Sequence, residues 1–127
     1  MYSMQGDEGI LEKIINQIIN VWKFKVSIEI KIPLRKLFPE PENKWLSTMW
    51  SHGHADIAVY RHGKLVCIIE PGGWFYHLKD KTQKLRDKRK DKLCEINGVN
   101  VLRAVNDIVD NLDLPVTKKL FKKYIYG

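Results

Sequence analysis

The sequence predicts a mixed α/β fold, a sheet with strands running in both directions and flanked by helices. Three observations carry this reading. Residues 54–70, HADIAVYRHGKLVCIIE, hold two runs rich in β-branched residues around the turn-like Arg61-His62-Gly63, the pattern of a β-hairpin. Near the start of the chain, Ile10, Leu11, Ile14, Ile15, Ile18 and Ile19 recur at helical spacing. A long basic stretch, 78–96, then stands between the hairpin and a further strand-like run, 99–104. A helix joining two strands of one sheet is a crossover, which makes those strands parallel.

Taken in order, residues 7–22 form the first helix, with one wide apolar stripe. At roughly 100° per residue, Glu8 projects near the border of that stripe and Glu12 further into solvent. An acid in a first turn complements the helix dipole, and Glu8 also stands as a candidate acid for an active site. Residues 26–34 alternate Val26, Ile28, Ile30 and Ile32 with Ser27, Glu29 and Lys31, predicting a strand with one buried face that Pro33 ends. Residues 36–50 carry prolines and tryptophans without a clear period and read as a long loop, with Trp45 and Trp50 either packed beneath it or stacked on nucleic-acid bases.

The hairpin comes next, and Pro71-Gly72-Gly73 stops its second strand. The aromatic run Trp74, Phe75, Tyr76 and His77 follows beside Glu70. In the helix over 78–96, Leu78, Leu85, Leu93 and Ile96 form the face expected to pack on the sheet, with Lys79, Gln83, Arg86 and Lys90 as a polar stripe beside it. Asn97-Gly98 is a helix stop. After the strand at 99–104 come a short helix from Asn106 through Leu112 and a terminal helix opened by Pro115. There Val116, Leu120, Phe121, Tyr124 and Ile125 are expected to face inward, and Lys118, Lys119, Lys122 and Lys123 outward.

With 127 residues the chain fits a single domain, 1–127, whose core is expected over about 6–104 with C-terminal helices over about 106–126. The net charge of +7 and pI near 9.4 favour a polyanionic partner, nucleic acid before membrane. Two cysteines, Cys67 in an apolar strand and Cys94 in a charged helix, supply neither a disulfide framework nor zinc spacing; Cys94 reads as a surface or half-buried thiol. No run reaches the ~18 apolar residues of a membrane span, and no signal-peptide pattern opens the chain. The expectation is an intracellular, cytoplasmic, soluble protein with no membrane partner.

The hairpin also carries the chemistry. Asp56 lies at the start of its first strand and Glu70 at the end of the second, so pairing through the tight turn brings both acids to one end of the sheet. Two carboxylates there, with the backbone carbonyl of Pro71, make a candidate site for Mg2+, with Mn2+ as a substitute. Such an ion activates water and stabilises the leaving alkoxide in phosphodiester hydrolysis. His77, Lys79 and Lys90 are the groups available to position the water or offset charge. DNA-facing cations are expected from the basic helix: Lys79, Lys84, Arg86, Lys88 and Lys90.

Asp56, a strand–turn–strand ending in Glu70, then a helix and Val101-Leu102-Arg103, resembles the PD-(D/E)xK nuclease superfamily, the restriction-endonuclease-like fold with its αβββαβ core. Glu70, Gly73 and His77, followed by Arg86-Asp87, Lys90-Asp91, Leu93, Gly98 and Leu102-Arg103, is similar to its very-short-patch-repair-like branch and that branch's small bacterial relatives. The resemblance covers about 6–104. It implies metal-dependent cleavage of DNA; for a single domain without a reader domain the expected role is structure-selective, on branched DNA or Holliday junctions, with mismatch-directed nicking next. Asp56 and Glu70 would be the ligands, His77 a polar active-site group, and Glu8 the acid that some members place on their first helix. Where the superfamily carries lysine or an acid two residues after the glutamate, this chain has Gly72, and the histidine arrives one residue late, with Tyr76 in its place. Members of the superfamily also supply that lysine from the following helix, a role open here to Lys90 or Lys79. The alternative is a DNA-binding protein of the same fold that has lost the chemistry, and a third reading is a partner-binding or toxin-neutralising protein. A homodimer is one way for such a site to cut two strands.

Overall fold

The computed structural model describes residues 2–71, 81–103 and 106–127, with the side chains of 2–8, 106 and 107 left aside. Four strands form one mixed sheet in the order β1 (Ser27–Pro33), β2 (His54–Arg61), β3 (Lys64–Glu70), β4 (Asn100–Arg103). β1, β2 and β3 run antiparallel to their neighbours, whereas β4 lies parallel to β3. The helices are α1 (Tyr2–Asn16), which continues as a π-helical turn over Gln17–Val21, α2 (Leu34–Leu37), α3 (Lys44–His52), α4 (Lys81–Ile96), α5 (Asn106–Asp110) and α6 (Pro115–Tyr126). No described helix is long and apolar enough to cross a membrane.

Two hydrophobic clusters flank the sheet. One joins Leu11, Ile14 and Ile18 of the first helical segment, Val109 of α5 and Phe121 and Ile125 of α6 to Ile57, Val59, Cys67, Ile69 and Leu102 of the sheet. The other joins Leu34, Leu46, Leu93 and Cys94 of α2, α3 and α4 to Ala55, Ile68 and Val99. Alternation along β3 and β4 explains the division, since Ile68 and Ile69 point to opposite faces of the pleat. All of these side chains are buried, as hydrophobic stabilisation requires.

The hairpin turns through His62 and Gly63, with Arg61 paired to Lys64. Both turn residues have positive φ (55° and 75°), the geometry of a type I′ turn, which glycine adopts without a Cβ penalty. Between Val59 and Tyr60 the register slips, because Val59 faces Cys67 while Tyr60 faces Leu65. Val66 is therefore the extra residue of a bulge, and it moves Leu65 to the opposite cluster from Cys67.

The structure corrects several expectations. β1 does not present one buried face: Ile28 packs on the first cluster, Ile32 on the second, and Ile30 is exposed. Lys31, at φ 50°, breaks the regular pleat between them. The segment 36–50 is not a loop, because α2 ends at Leu37 and α3 starts at Lys44. The side chain of Asn43 caps α3 by accepting the Trp45 N–H at 2.8 Å, and Trp50 donates its indole N–H to the Phe38 carbonyl at 2.9 Å. Leu85 and Ile96 of α4 are 41% and 58% exposed, and Val116 of α6 is also exposed, with Thr117 buried in its stead. Leu78 lies outside the described residues. The outward lysines of α6 are exposed as expected.

Cys94 is fully buried, not a surface thiol. Burial pushes both thiols from the ordinary 9.0 up to about 12, and the charges of Glu70 and Asp91 add to the effect at Cys94. The folded chain thus keeps protons that the unfolded chain sheds. This contribution to stability is complete below the ordinary thiol value of 9.0 and is lost as pH rises from there toward about 12. The expected outcome is that neither thiol reacts with DTNB at pH 8 until denaturant is added, and that the urea midpoint falls above pH 9. A thiol titrated rapidly in the native protein would contradict this packing.

Candidate functional site

Antiparallel register sets the centre of the site. Ile57 pairs with Ile69, so the next step along the ladder brings Asp56 opposite Glu70. The backbone N–H of Asp56 donates to Glu70 Oε2 at 2.8 Å. The other carboxylate oxygen, Oε1, takes a hydrogen bond and ion pair from Lys90 Nζ of α4. Lys90 also donates to the backbone carbonyl of His54 at 2.8 Å, which fixes its ammonium over the end of β2 and β3. Glu70 is only 6% exposed, so its carboxylate is held almost entirely by protein donors.

A second charged set stands beside the first. Glu70 pairs with Arg103 across the parallel β3–β4 ladder. Arg103 Nη2 hydrogen-bonds Asp91 and the carbonyl of Asp87, the latter at 3.2 Å, while Nη1 lies 3.3 Å from Asp87 Oδ1 without a well-aligned hydrogen bond. Asp87 also accepts from Gln83 Nε2 at 3.0 Å. The sheet-facing stripe of α4 is thus Gln83, Asp87, Lys90, Asp91 and Cys94, with spacings of four, three, one and three that keep to one helical face. The sheet offers an acid on β3 and a base on β4. The helix answers with a base for the acid and two acids for the base.

A cleft of about 440 Å³ opens next to this network, between α3 and α4. Thr48, Met49, His52 and Gly53 line one wall, and Gln83, Arg86, Asp87, Arg89 and Lys90 the other. At Gly53, an added Cβ would stand 2.5 Å from the Met49 carbonyl oxygen and 2.8 Å from Leu34 Cδ1 of α2. Only glycine permits that close packing where the end of α3 meets α2.

Of the residues expected to form a site, Glu70 and Lys90 come together with the backbone N–H of Asp56, and Pro71 is buried directly after Glu70. Lys84, Arg86 and Lys88 are exposed on α4. His77 and Lys79 lie outside the described residues, as does the side chain of Glu8, whose backbone belongs to α1. Arg103, Asp87 and Asp91, which the resemblance brought in only as motif letters, prove to form the charged set beside Glu70. Their legible signal was acids at a spacing of four on α4, bracketing Lys90.

Among the described residues no group of three or more His, Cys, Asp or Glu side chains gathers to hold a metal ion. Two carboxylates on adjacent strands suit a largely hydrated Mg2+, which takes one or two protein carboxylates and keeps its waters, and do not make a closed cage for Zn2+ or Ca2+. Comparison with family models, curated proteins and solved structures finds no match to this chain.

Lys90 and Glu70 are both largely buried, so removing one charge strands the other. Lys90→Ala is expected to lower unfolding stability by about 3–5 kcal/mol. Adding Glu70→Gln to it should restore a large part of that loss, because the stranded charge is then gone. Urea denaturation of the two single variants and the double variant measures the coupling; simple additivity would dissolve the pair as a structural unit.

Proposed function

We propose that the chain is a metal-dependent DNA endonuclease of the PD-(D/E)xK type, acting on branched DNA or by nicking. The observation that carries this reading is the delivery of a lysine ammonium from α4 to the Glu70 carboxylate, beside Asp56. The element order of helix, strand, hairpin, helix and strand, with α2 and α3 inserted between β1 and β2, is compatible with the αβββαβ core of that fold. In this reading Asp56, Glu70 and the Pro71 carbonyl hold Mg2+, which supplies charge neutralisation at the phosphate and a more acidic water. Lys90, tied to Glu70 and the His54 carbonyl, contributes a fixed positive charge where the phosphoryl oxygens become more negative. Arg103 acts at one remove, holding α4 through Asp87 and Asp91 so that Lys90 keeps its place. Lys84, Arg86 and Lys88 on the exposed side of α4 offer phosphate contacts, consistent with the +7 net charge.

A second reading has its own observation. Both oxygens of Glu70 already accept protein hydrogen bonds, so a cation must compete with Lys90 or Asp56 N–H for them. That arrangement suits a DNA-binding protein whose site no longer takes a metal.

The two readings separate on plasmid, linear and four-way-junction DNA incubated with Mg2+ or Mn2+. The nuclease reading expects cleavage that falls at least ~100-fold in Asp56→Asn, Glu70→Gln and Lys90→Met. Cleavage at full rate in the Asp56 and Glu70 variants would remove the site assignment. Tight binding with no cleavage in either metal would favour the second reading.

A further inference from the structure

The cleft between α3 and α4 has a consistent chemical character. On α3 its wall is the helical face of Thr48, Met49 and His52, and the same face continues one turn earlier to Trp45. On α4 its wall is the face of Gln83, Arg86, Asp87 and Lys90, flanked by Arg89. Three cationic side chains therefore line it against one carboxylate, Asp87, and that carboxylate is already engaged by Arg103 and Gln83. Arg86 is exposed and makes no ion pair among the described residues. Arg89 holds its guanidinium 5.5 Å from the centre of the Trp45 ring, and its buried Nε has no hydrogen-bond partner among the described residues. Trp45 itself is 42% exposed, an unusual placement for a large aromatic side chain that could have packed inward.

Cationic side chains beside an accessible aromatic ring are the means by which proteins hold single strands, through backbone charge and base stacking. Size adds a constraint. At about 440 Å³ the cleft is in the range of small-ligand sites, enough for a nucleotide but not for a double helix. Lys90 lines the cleft and also touches Glu70, so whatever enters comes next to the group that holds the candidate catalytic carboxylate.

We infer that this cleft receives an unpaired nucleotide of a DNA strand, its phosphate on Arg86 and Arg89 and its base against Trp45. The inference rests on the nuclease reading for the identity of the polymer and deepens it: the substrate is DNA with an unpaired segment beside a duplex, and the cleft selects it.

The test is binding in EDTA, by fluorescence anisotropy, of a blunt duplex and of the same duplex with a short unpaired tail. The wild-type chain is expected to bind the tailed DNA about tenfold more tightly. Arg86→Ala and Arg89→Ala should bring the tailed DNA down to the affinity of the blunt duplex, and Trp45→Ala should do the same while Trp45→Phe retains the preference. Arg86 and Trp45 are at the surface, and circular dichroism of each variant checks that it is folded. Equal affinity of the wild type for the two DNAs overturns the inference, as does an equal loss on both DNAs in the arginine variants. With metal chelated, the result does not depend on cleavage. A chain that prefers tailed DNA but never cuts keeps this site and loses the nuclease reading, whereas one that cuts blunt duplex as fast as tailed DNA loses this site alone.

Discussion

The buried carboxylate of Glu70 is the constraint around which the rest is arranged. It ends β3, directly after the buried Cys67, Ile68 and Ile69, and water reaches little of it. A carboxylate in that setting must be matched by donors, because an unmatched buried charge costs several kcal/mol. Asp56 N–H provides one donor through strand register, and Lys90 provides the other from α4. The helix therefore has a required height and rotation on the sheet. Arg103, one strand over, imposes the same requirement with opposite sign through Asp87 and Asp91. A shift of α4 by one residue would break both sets at once.

This also explains why α4 can be so polar. Of its residues only Leu93 and Cys94, near its C-terminus, are buried. Its earlier turns are held by charges and by the Arg89–Trp45 contact, not by an apolar stripe. Surface ion pairs contribute little, but Lys90 and Glu70 are mostly shielded from solvent, and Asp87 and Arg103 are largely so. Docking by matched charge is specific in register, which a purely apolar stripe along those turns would not be.

What could be read from the sequence follows from the same physics. The hairpin, the first helix and the crossover helix rest on periodicity and on turn residues, signals that are local and strong. The segment 36–50 was obscured because Pro39 and Pro41 interrupt it and α3 buries only Leu46; its one clear marker was Asn43 as a helix cap. Leu85 and Ile96 keep apolar spacing with Leu93 yet are exposed, because the face of α4 that meets the sheet is largely polar. Burial of Cys94 follows from its place seven residues after Asp87, on the charged stripe itself. Asp56 and Glu70 were legible as a pair because hairpin register alone sets them opposite each other, whereas Lys90 stood beside Lys79 and His77 as an open choice that only the packing of α4 on the sheet decides for Lys90. The α3 wall of the cleft was not legible, since it depends on how a short helix packs across the sheet.

In the proposed nuclease reading a lysine or an acid is expected two residues after Glu70, and this chain has Gly72 there. A strand lysine and a helix lysine are two routes by which an ammonium can meet such a carboxylate; here Lys90 supplies it from α4, anchored by the His54 carbonyl as well. For neutralising Glu70 the two routes are equivalent, because the interaction depends on the separation of the charges and not on which backbone supplies them. They differ in what else they demand. A strand lysine needs only its own strand, while Lys90 needs α4 held in place, and that in turn calls for Arg103, Asp87 and Asp91. The motif letters Asp87, Lys90, Asp91 and Arg103 are then one requirement, the framework that makes a helix lysine as dependable as a strand lysine.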